Sequence, residues 1–419
     1  MTNLDPLAFF LNLQSKGINL DLGPVTRLLR RIGNPHKKYP TIHIGGSNGK
    51  GSVAAMTSSM LLEAGLTVGL YTSPHIIDFR ERIRVDTLMI SHEELCDIIE
   101  RMRREITEDI TYFEFATALA FCYFERRKVD IAVLEVGMGG RLDATNVVVP
   151  QVSVVTNVSL EHTAYLGKSL QAIAGEKGGI IKRNGICLTA ARQRIVRSVL
   201  EKICRGLNAS LYCTGRDIRL RRSGHDTFSY YGIFNDYQNL SVSLAGKHQK
   251  DNALLALGVL DILTVKGFTI SPDAISRGLK NVRCDGRLEV LSRKPLLVID
   301  GAHNPAGAAA LSQSLATDFS YDKMILVVGV LRDKDYRAML RSLARPAAMI
   351  IVTKPDSERA LDPQVLSEAA RRYTDAVWCI EDVRGALDKA LSLAKDNDMI
   401  CVTGSFYLVG AVKKIFTKA

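Results

Sequence analysis

Short apolar runs alternate with stretches in which apolar residues recur every three or four positions, the pattern of a mostly parallel sheet covered by helices. Thr41–Ile44 reads as a buried strand that enters a glycine-rich turn and then an amphipathic run, Ser52–Ala64. Thr67–Tyr71, Ile131–Val136 and Val152–Asn157 read as further strands. Ser91–Glu105 reads as a helix with a serine N-cap and an acidic first turn. Between Arg216 and Leu244 the texture changes to short polar-aromatic runs such as TFSYYGIF, which predicts an antiparallel excursion. Helical periodicity returns over Asp251–Lys266 and Ser271–Lys280. A second strand–helix series starts near Leu288, with LEVL, LLVID, MILVVGV, AMIIVT, AVWCI and MICVTG as its strands. The expected architecture is α/β: a phosphate-loop parallel-sheet domain over 1–284, then a smaller Rossmann-like domain over 285–419, with the boundary near Asp285.

Length supports that division, because 419 residues exceed the size at which a single core usually stops growing. Hydrophobic residues at 47% and charged residues at 24% exclude a disordered chain, a collagen-like repeat and a coiled coil. The longest apolar run, Met324–Leu331, is strand-sized, and the amino-terminal stretch lacks the basic n-region of a secretory signal. Eight scattered cysteines without a C-x-x-C pair read as reduced core thiols, and a cytoplasmic protein is expected. The net charge of +11 admits nucleic acid, an anionic membrane or anionic small molecules as partners. Basic and acidic residues are interspersed, and the sharpest basic cluster, Arg216–Arg222, has no recognised nucleic-acid motif around it. Small anionic substrates are the better expectation.

The sharpest local signal is IHIGGSNGKGSVAAM at 42–56. A strand, a glycine-rich turn and a helix start aim backbone N–H groups and the positive helix end at one spot. Lys50 adds a point charge for outer phosphates and Ser52 a hydroxyl suited to Mg²⁺. The strict G-x-x-x-x-G-K-[ST] pattern fails twice, since Ile44 stands for its first glycine and Gly51 follows the lysine. In VLEVGMGGRLDATN, Glu135 ends an apolar strand and is a Mg²⁺ ligand candidate; a salt-bridge residue fits the same position. His162, the Glu176–Lys177 pair and Thr72–His75 each follow a strand or sit on a short helix. Taken singly, each reads more readily as a structural residue than as a ligand.

Together they match a known set. The blocks GGSNGKGS, YTSPHIIDFRERIRV, TYFEFATALAF, EVGMGGRLDATN, SLEHTAYLG, IAGEKGGIIK, DGRLEV, IDGAHNP, GVLRDKD and TGSFYLVG run in order over nearly the whole chain. In this the sequence resembles the dihydrofolate synthase/folylpolyglutamate synthase family of the Mur ligase superfamily. The resemblance implies that Asn48, Gly49, Lys50, Gly51 and Ser52 hold the ATP phosphates, with Asn252, Arg287 and Asp300 around the rest of the nucleotide. It implies two magnesium ions held by Ser52, Ser73, Glu135, His162 and a carbamylated Lys177, and it places His303 on the catalytic face of the second domain. Asp21, Leu22, Gly23 and Thr111, Tyr112, Phe113, Glu114 match segments lining the pterin side, where Phe113 would offer a ring to a flat substrate. Three positions depart from the family's habit: Asp285 for a proline, Glu161 for an aspartate, and Gly178 for an alanine, which loosens its helix.

The implied activity is ATP-dependent ligation of L-glutamate to dihydropteroate or reduced folates through an acyl phosphate, with ITYFEFAT favouring the bifunctional form. The alternatives are a folylpolyglutamate synthase alone, another Mur-type amino-acid ligase, or a basic nucleic-acid-binding ATPase. The resemblance implies small-molecule partners, no nucleic acid, no membrane and a monomer.

Overall fold

A computed structural model describes residues 5–223 and 227–417. The chain divides into two compact units, residues 1–73, 80–243 and 251–282 in one, and 74–79, 244–250 and 283–419 in the other.

The first unit is built on an eight-stranded sheet. Its strands are β1 (Thr41–Gly45), β2 (Val68–Tyr71), β3 (Ile83–Val85), β4 (Leu88–Met89), β5 (Ile131–Glu135), β6 (Val152–Val155), β7 (Ile186–Thr189) and β8 (Ser210–Cys213), in the order β4-β3-β2-β5-β1-β6-β7-β8. The run from β2 to β8 is parallel, whereas β3 and β4 extend the edge as antiparallel strands. β1 and β5 are buried at every position, as strands covered on both faces must be. The helix after β1, Lys50–Glu63, is buried on nearly every side and not amphipathic as expected. Gly278 of the helix Pro272–Asn281 lies so close to the Met60 backbone that a side chain there would collide with it. The helix His92–Arg103 begins on its serine, the Ser91 hydroxyl accepting from Glu94 N at 3.1 Å. The antiparallel excursion is a separate sheet of β9 (Arg219–Arg222), β10 (Phe228–Tyr231) and β11 (Asp236–Leu240).

The second unit carries β12 (Glu289–Arg293), β13 (Leu296–Asp300), β14 (Met324–Val328), β15 (Met349–Val352), β16 (Val377–Cys379) and β17 (Met399–Thr403), ordered β12-β13-β17-β14-β15-β16. Only β12 is antiparallel to its neighbour. Successive strand residues feed opposite cores: Leu326 and Val328 meet the helices Pro305–Asp318, Tyr336–Leu343 and Pro363–Ala370, while Ile325 and Val327 meet Val383–Leu393 and Phe406–Thr417. The chain leaves β13 and β14 toward one face and leaves β17, which lies between them, toward the other. A ligand crevice forms at the carboxyl ends of such strands.

A single boundary near Asp285 misplaces two short segments. Residues 74–79 and 244–250 belong to the second unit, because Ile76 packs against Gly286 and Gly410, and Gly246 against Ser314. These contacts join positions remote in sequence, which strand–helix periodicity does not register. Asp285 itself pairs with Lys413 at 3.2 Å. All eight cysteines are free of disulfides, and among the described residues no helix is long and apolar enough to cross a membrane.

Candidate active site

In the first unit the turn 46–52, Ser73, Glu135 and the segment 156–162 follow or end four adjacent strands, β1, β2, β5 and β6, at their carboxyl ends. After β1 the chain turns through Gly46 and Gly49, both at positive φ (133° and 85°). A side chain at Gly46 would collide with Thr156 and one at Gly49 with Asn252, so backbone approach as well as φ demands glycine. The turn is laced to the segment after β6. Thr156 Oγ1 and Asn157 Nδ2 donate to Asn48 O at 2.7 and 3.0 Å, Asn48 N donates to Asn157 Oδ1 at 3.0 Å, and Ser47 N donates to Asn157 O at 2.9 Å. Lys50 folds back over the turn, its ammonium donating to Gly46 O at 3.1 Å and Ser47 O at 3.4 Å. Ser52 is buried in the first helical turn. The result is a preformed anion cradle at a helix start.

Glu135 ends β5, and its carboxylate accepts from Ser73 N at 3.1 Å, just beyond β2. Gly51 lies beside the same carboxylate. The Glu135 carboxylate thus meets the Ser73 backbone and lies beside Gly51, the neighbour of Ser52, and carboxylate and hydroxyl oxygens are the hard donors that Mg²⁺ takes together with water and phosphate oxygens. Among the described residues, no three His, Cys, Asp or Glu side chains form a ready-made metal cluster. His162 stands at the start of the short helix Thr163–Leu166 with a positive φ of 45°.

Lys177, near the end of the helix Leu170–Gly178, is 1% exposed. Its ammonium donates to Gly46 O at 2.9 Å and to Glu161 at 2.7 Å. Burial pulls the lysine down to about 8, against the opposing pull of Glu161. Burial alone would raise Glu161, but Lys177 and Lys50 outweigh it and hold the carboxyl at about 2. The glutamate at the aspartate position therefore reaches Lys177 as its ion-pair partner. Gly178 is explained by packing: a side chain there would collide with Ile203.

On the expected pterin side, Asp21 closes a turn onto Gly23 N at 3.0 Å, with Leu22 as the N-cap of the helix Gly23–Arg31. Thr111 and Glu114 form a reciprocal capping box on the helix Tyr112–Arg126, and Glu114 also accepts from Asn19 at 3.3 Å. Tyr112 stacks on Phe10, and the half-buried Phe113 rests on the bare backbone of Gly137, 6.2 Å from the Tyr71 ring.

Sequence reasoning gave no role to Asp143, which is fully buried and receives Met138 N at 2.9 Å, Thr145 N at 3.0 Å and the Thr145 hydroxyl. Thr145 in turn meets His43 Nε2 at 2.7 Å, and burial, with Lys182 adding, lowers His43 to about 3, so it stays neutral. The network braces the loop between Glu135 and Lys177, with Arg141 N donating to Glu176 O at 2.8 Å. An aspartate before A-T-N was a readable helix-cap signal.

In the second unit, the Asp300 carboxylate is buried beneath the turn bearing Arg287: it accepts from Leu288 N at 2.9 Å and Ala302 N at 2.8 Å. Burial raises its pKa, opposed by Arg287 and these hydrogen bonds. The His303 ring contacts Gly301 O through Nδ1 at 2.8 Å. Asn252 belongs to the first unit, where it lies against Gly49 of the glycine-rich turn.

This fold, with its glycine-rich turn opening a helix, is that of the Mur ligase class. The Mur ligase middle domain matches residues 44–260, and the Mur ligase glutamate ligase domain matches 286–406. Within that class the chain belongs to the dihydrofolate synthase/folylpolyglutamate synthase family. It is 35% identical to the Bacillus subtilis dihydrofolate synthase/folylpolyglutamate synthase, with 95% of each chain covered. It is 37% identical to a probable bifunctional folylpolyglutamate synthase/dihydropteroate synthase of Haloferax volcanii over 94% of its own length, but spans about half of that relative (48%). An Escherichia coli FolC structure solved with DHPP and ADP superposes with a TM-score of 0.91 at 29% identity, covering 99% of this chain and 98% of that one.

Proposed function

We propose that the chain adds L-glutamate to dihydropteroate and to reduced folates, forming dihydrofolate and folylpolyglutamates. The observation that carries this reading is the placement of Phe113 on Gly137, two residues past Glu135, at the carboxyl ends of the adjacent strands β5 and β1, the second of which leads into the phosphate loop. An aromatic surface for a flat heterocycle and a cradle for a triphosphate then share one strand-end crevice. The E. coli relative's complex with DHPP and ADP supports both halves.

The acceptor's carboxylate oxygen attacks the γ-phosphorus in line, and ADP leaves. The glutamate amine then attacks the acyl carbon, phosphate leaves, and the amine sheds a proton. Activation is required because a carboxylate is a poor electrophile with no leaving group. Lys50 and the N–H groups of the loop bind and orient the polyphosphate and neutralise its charge. Ser52 and Ser73 would hold one Mg²⁺, and Glu135 and His162 with a carbamylated Lys177 a second; the metal would supply charge neutralisation on the transferring phosphoryl group. A carbamate would exchange the Lys177 ammonium for an anion, which a magnesium site tolerates.

Dihydropteroate, L-glutamate and Mg-ATP should yield dihydrofolate, ADP and phosphate in equal amounts, and tetrahydrofolate should also serve as acceptor. Phe113→Ala should raise KM for the pterin substrate far more than KM for ATP, because one subsite loses surface. Activity with tetrahydrofolate alone reduces the function to folylpolyglutamate synthase. Activity with neither pterin overturns the reading.

A further inference from the structure

Phe406 received no role from the sequence, yet three residues from two segments of the second unit converge on its ring. It opens the helix after β17, is half-buried, and belongs to neither of the two apolar clusters lining that unit's sheet. Its ring lies on Gly301, where any side chain would collide with it. The Arg287 guanidinium stands 4.7 Å from the ring centroid, and the His303 ring 5.6 Å away at 51°. The backbone beneath is fixed: Gly301 N donates to Gly286 O at 2.9 Å, Asp300 receives Leu288 N, and Ser405 caps Leu408 N at 3.1 Å. Leu288, next to Arg287, carries a positive φ of 45°, so the turn is held in a conformation that an L side chain rarely adopts. A rigid turn thus delivers the arginine to a rigid ring.

We propose that Phe406 is a positioning residue for nucleotide binding: its face holds the Arg287 guanidinium flat, leaving the N–H edge to meet phosphate oxygens. A guanidinium is a planar fork whose value in anion binding depends on orientation, and stacking fixes that plane without consuming a donor. A wholly aliphatic side chain would fill the same space and leave the fork free to turn. The proposal rests on the reading of Arg287 as a nucleotide ligand, so the experiment tests both.

ADP affinity by calorimetry, and KM for ATP and for the folate acceptor, would be measured on the full chain. Phe406→Leu, and Phe406→Met as a second ring-free variant should the first not fold, are expected to weaken ADP binding and raise KM for ATP by about tenfold. KM for the acceptor should stay within about twofold, because a stacking loss acts on one ligand only. Phe406→Tyr, which keeps the face, should restore ADP affinity. Adding Phe406→Leu to Arg287→Ala should cost nothing further, since the ring acts through the arginine. If Arg287→Ala leaves ADP binding unchanged, the nucleotide reading of Arg287 falls and the proposal with it. If Arg287→Ala weakens binding but the ring-free variants do not, or if the double variant is additive, only the role of Phe406 is overturned.

Discussion

Burial strips the hydration shell from the Lys177 ammonium, and the Glu161 carboxylate at 2.7 Å offsets only part of that loss, leaving the amine at about 8. Carbamylation needs the neutral amine to attack carbon dioxide. An ordinary lysine near 10.4 is neutral in under roughly 1% of molecules at pH 8, whereas one shifted to about 8 is neutral in about half of them. Because the shift is downward, the reactive fraction grows as pH rises through 8 and falls about tenfold per unit below it. Protein incubated with ¹³C-bicarbonate and Mg²⁺ should therefore show a carbamate carbon resonance at pH 8 that fades by pH 6. Lys177→Ala should lose both resonance and activity, with short carboxylic acids restoring some activity. A silent spectrum at pH 8 would end the carbamate reading. Lys50 differs, because it bends over the loop carbonyls and fills no core. Lys50→Ala should melt near the parent temperature and lose on the order of 10²-fold or more in turnover. Near-normal turnover would refute the phosphate-loop role.

At the scale of elements, the sequence signals that succeeded were those with a local physical cause. Ser91 before an acidic turn, the strand–glycine–helix passage at 41–52 and the polar-aromatic excursion after Arg216 all formed the elements they predict. Glu114 was expected on the pterin side, yet the pattern T-x-x-E that opens its segment is also that of a capping box. The structure assigns its Oε2 to the cap, receiving Thr111 N at 2.8 Å and the Thr111 hydroxyl at 2.6 Å. Thr111→Ala should accordingly lower urea stability by about 1 kcal/mol, the usual worth of a buried cap, and Thr111→Ser should retain most of it. A stability loss below a few tenths in Thr111→Ala would show that the cap contributes little. The Asp143–Thr145–His43 network was not legible as a network. Its members lie on β1 and on a loop about a hundred residues later, and the pairing of β1 with both β5 and β6, the strands that flank that loop, brings them together.

For the whole molecule, two-unit division was legible because each unit restarts the strand–helix alternation. The reassignment of 74–79 and 244–250 was not, since it depends on which distant backbone they pack against. The +11 charge was the weakest guide to function, and the structure shows why. Several surface arginines are engaged in ion pairs: Arg27 with Glu108, Arg126 with Asp97, Arg141 with Glu176, Arg192 with Asp251, Arg277 with Glu63 and Arg359 with Asp333. Positive charge that is already partnered offers few counterions to release when a phosphodiester backbone approaches, and that release is what drives nonspecific nucleic-acid binding. The basic strand β9, Arg219–Arg222, lies on a small separate sheet, with Arg219, Arg221 and Arg222 exposed, as charged residues that blunt a sheet edge are. In the proposed function the phosphate loop, by contrast, would concentrate its donors on one polyphosphate. ATP turnover with dihydropteroate and glutamate should therefore be indifferent to added duplex DNA or single-stranded RNA at moderate salt. DNA affinity, measured by anisotropy across a salt series, should be weak and confined to the lowest ionic strengths. Stimulation of ATP hydrolysis by nucleic acid without any pterin acceptor would reverse this argument, and a steep decline of that stimulation with salt would identify the basic surface as its cause.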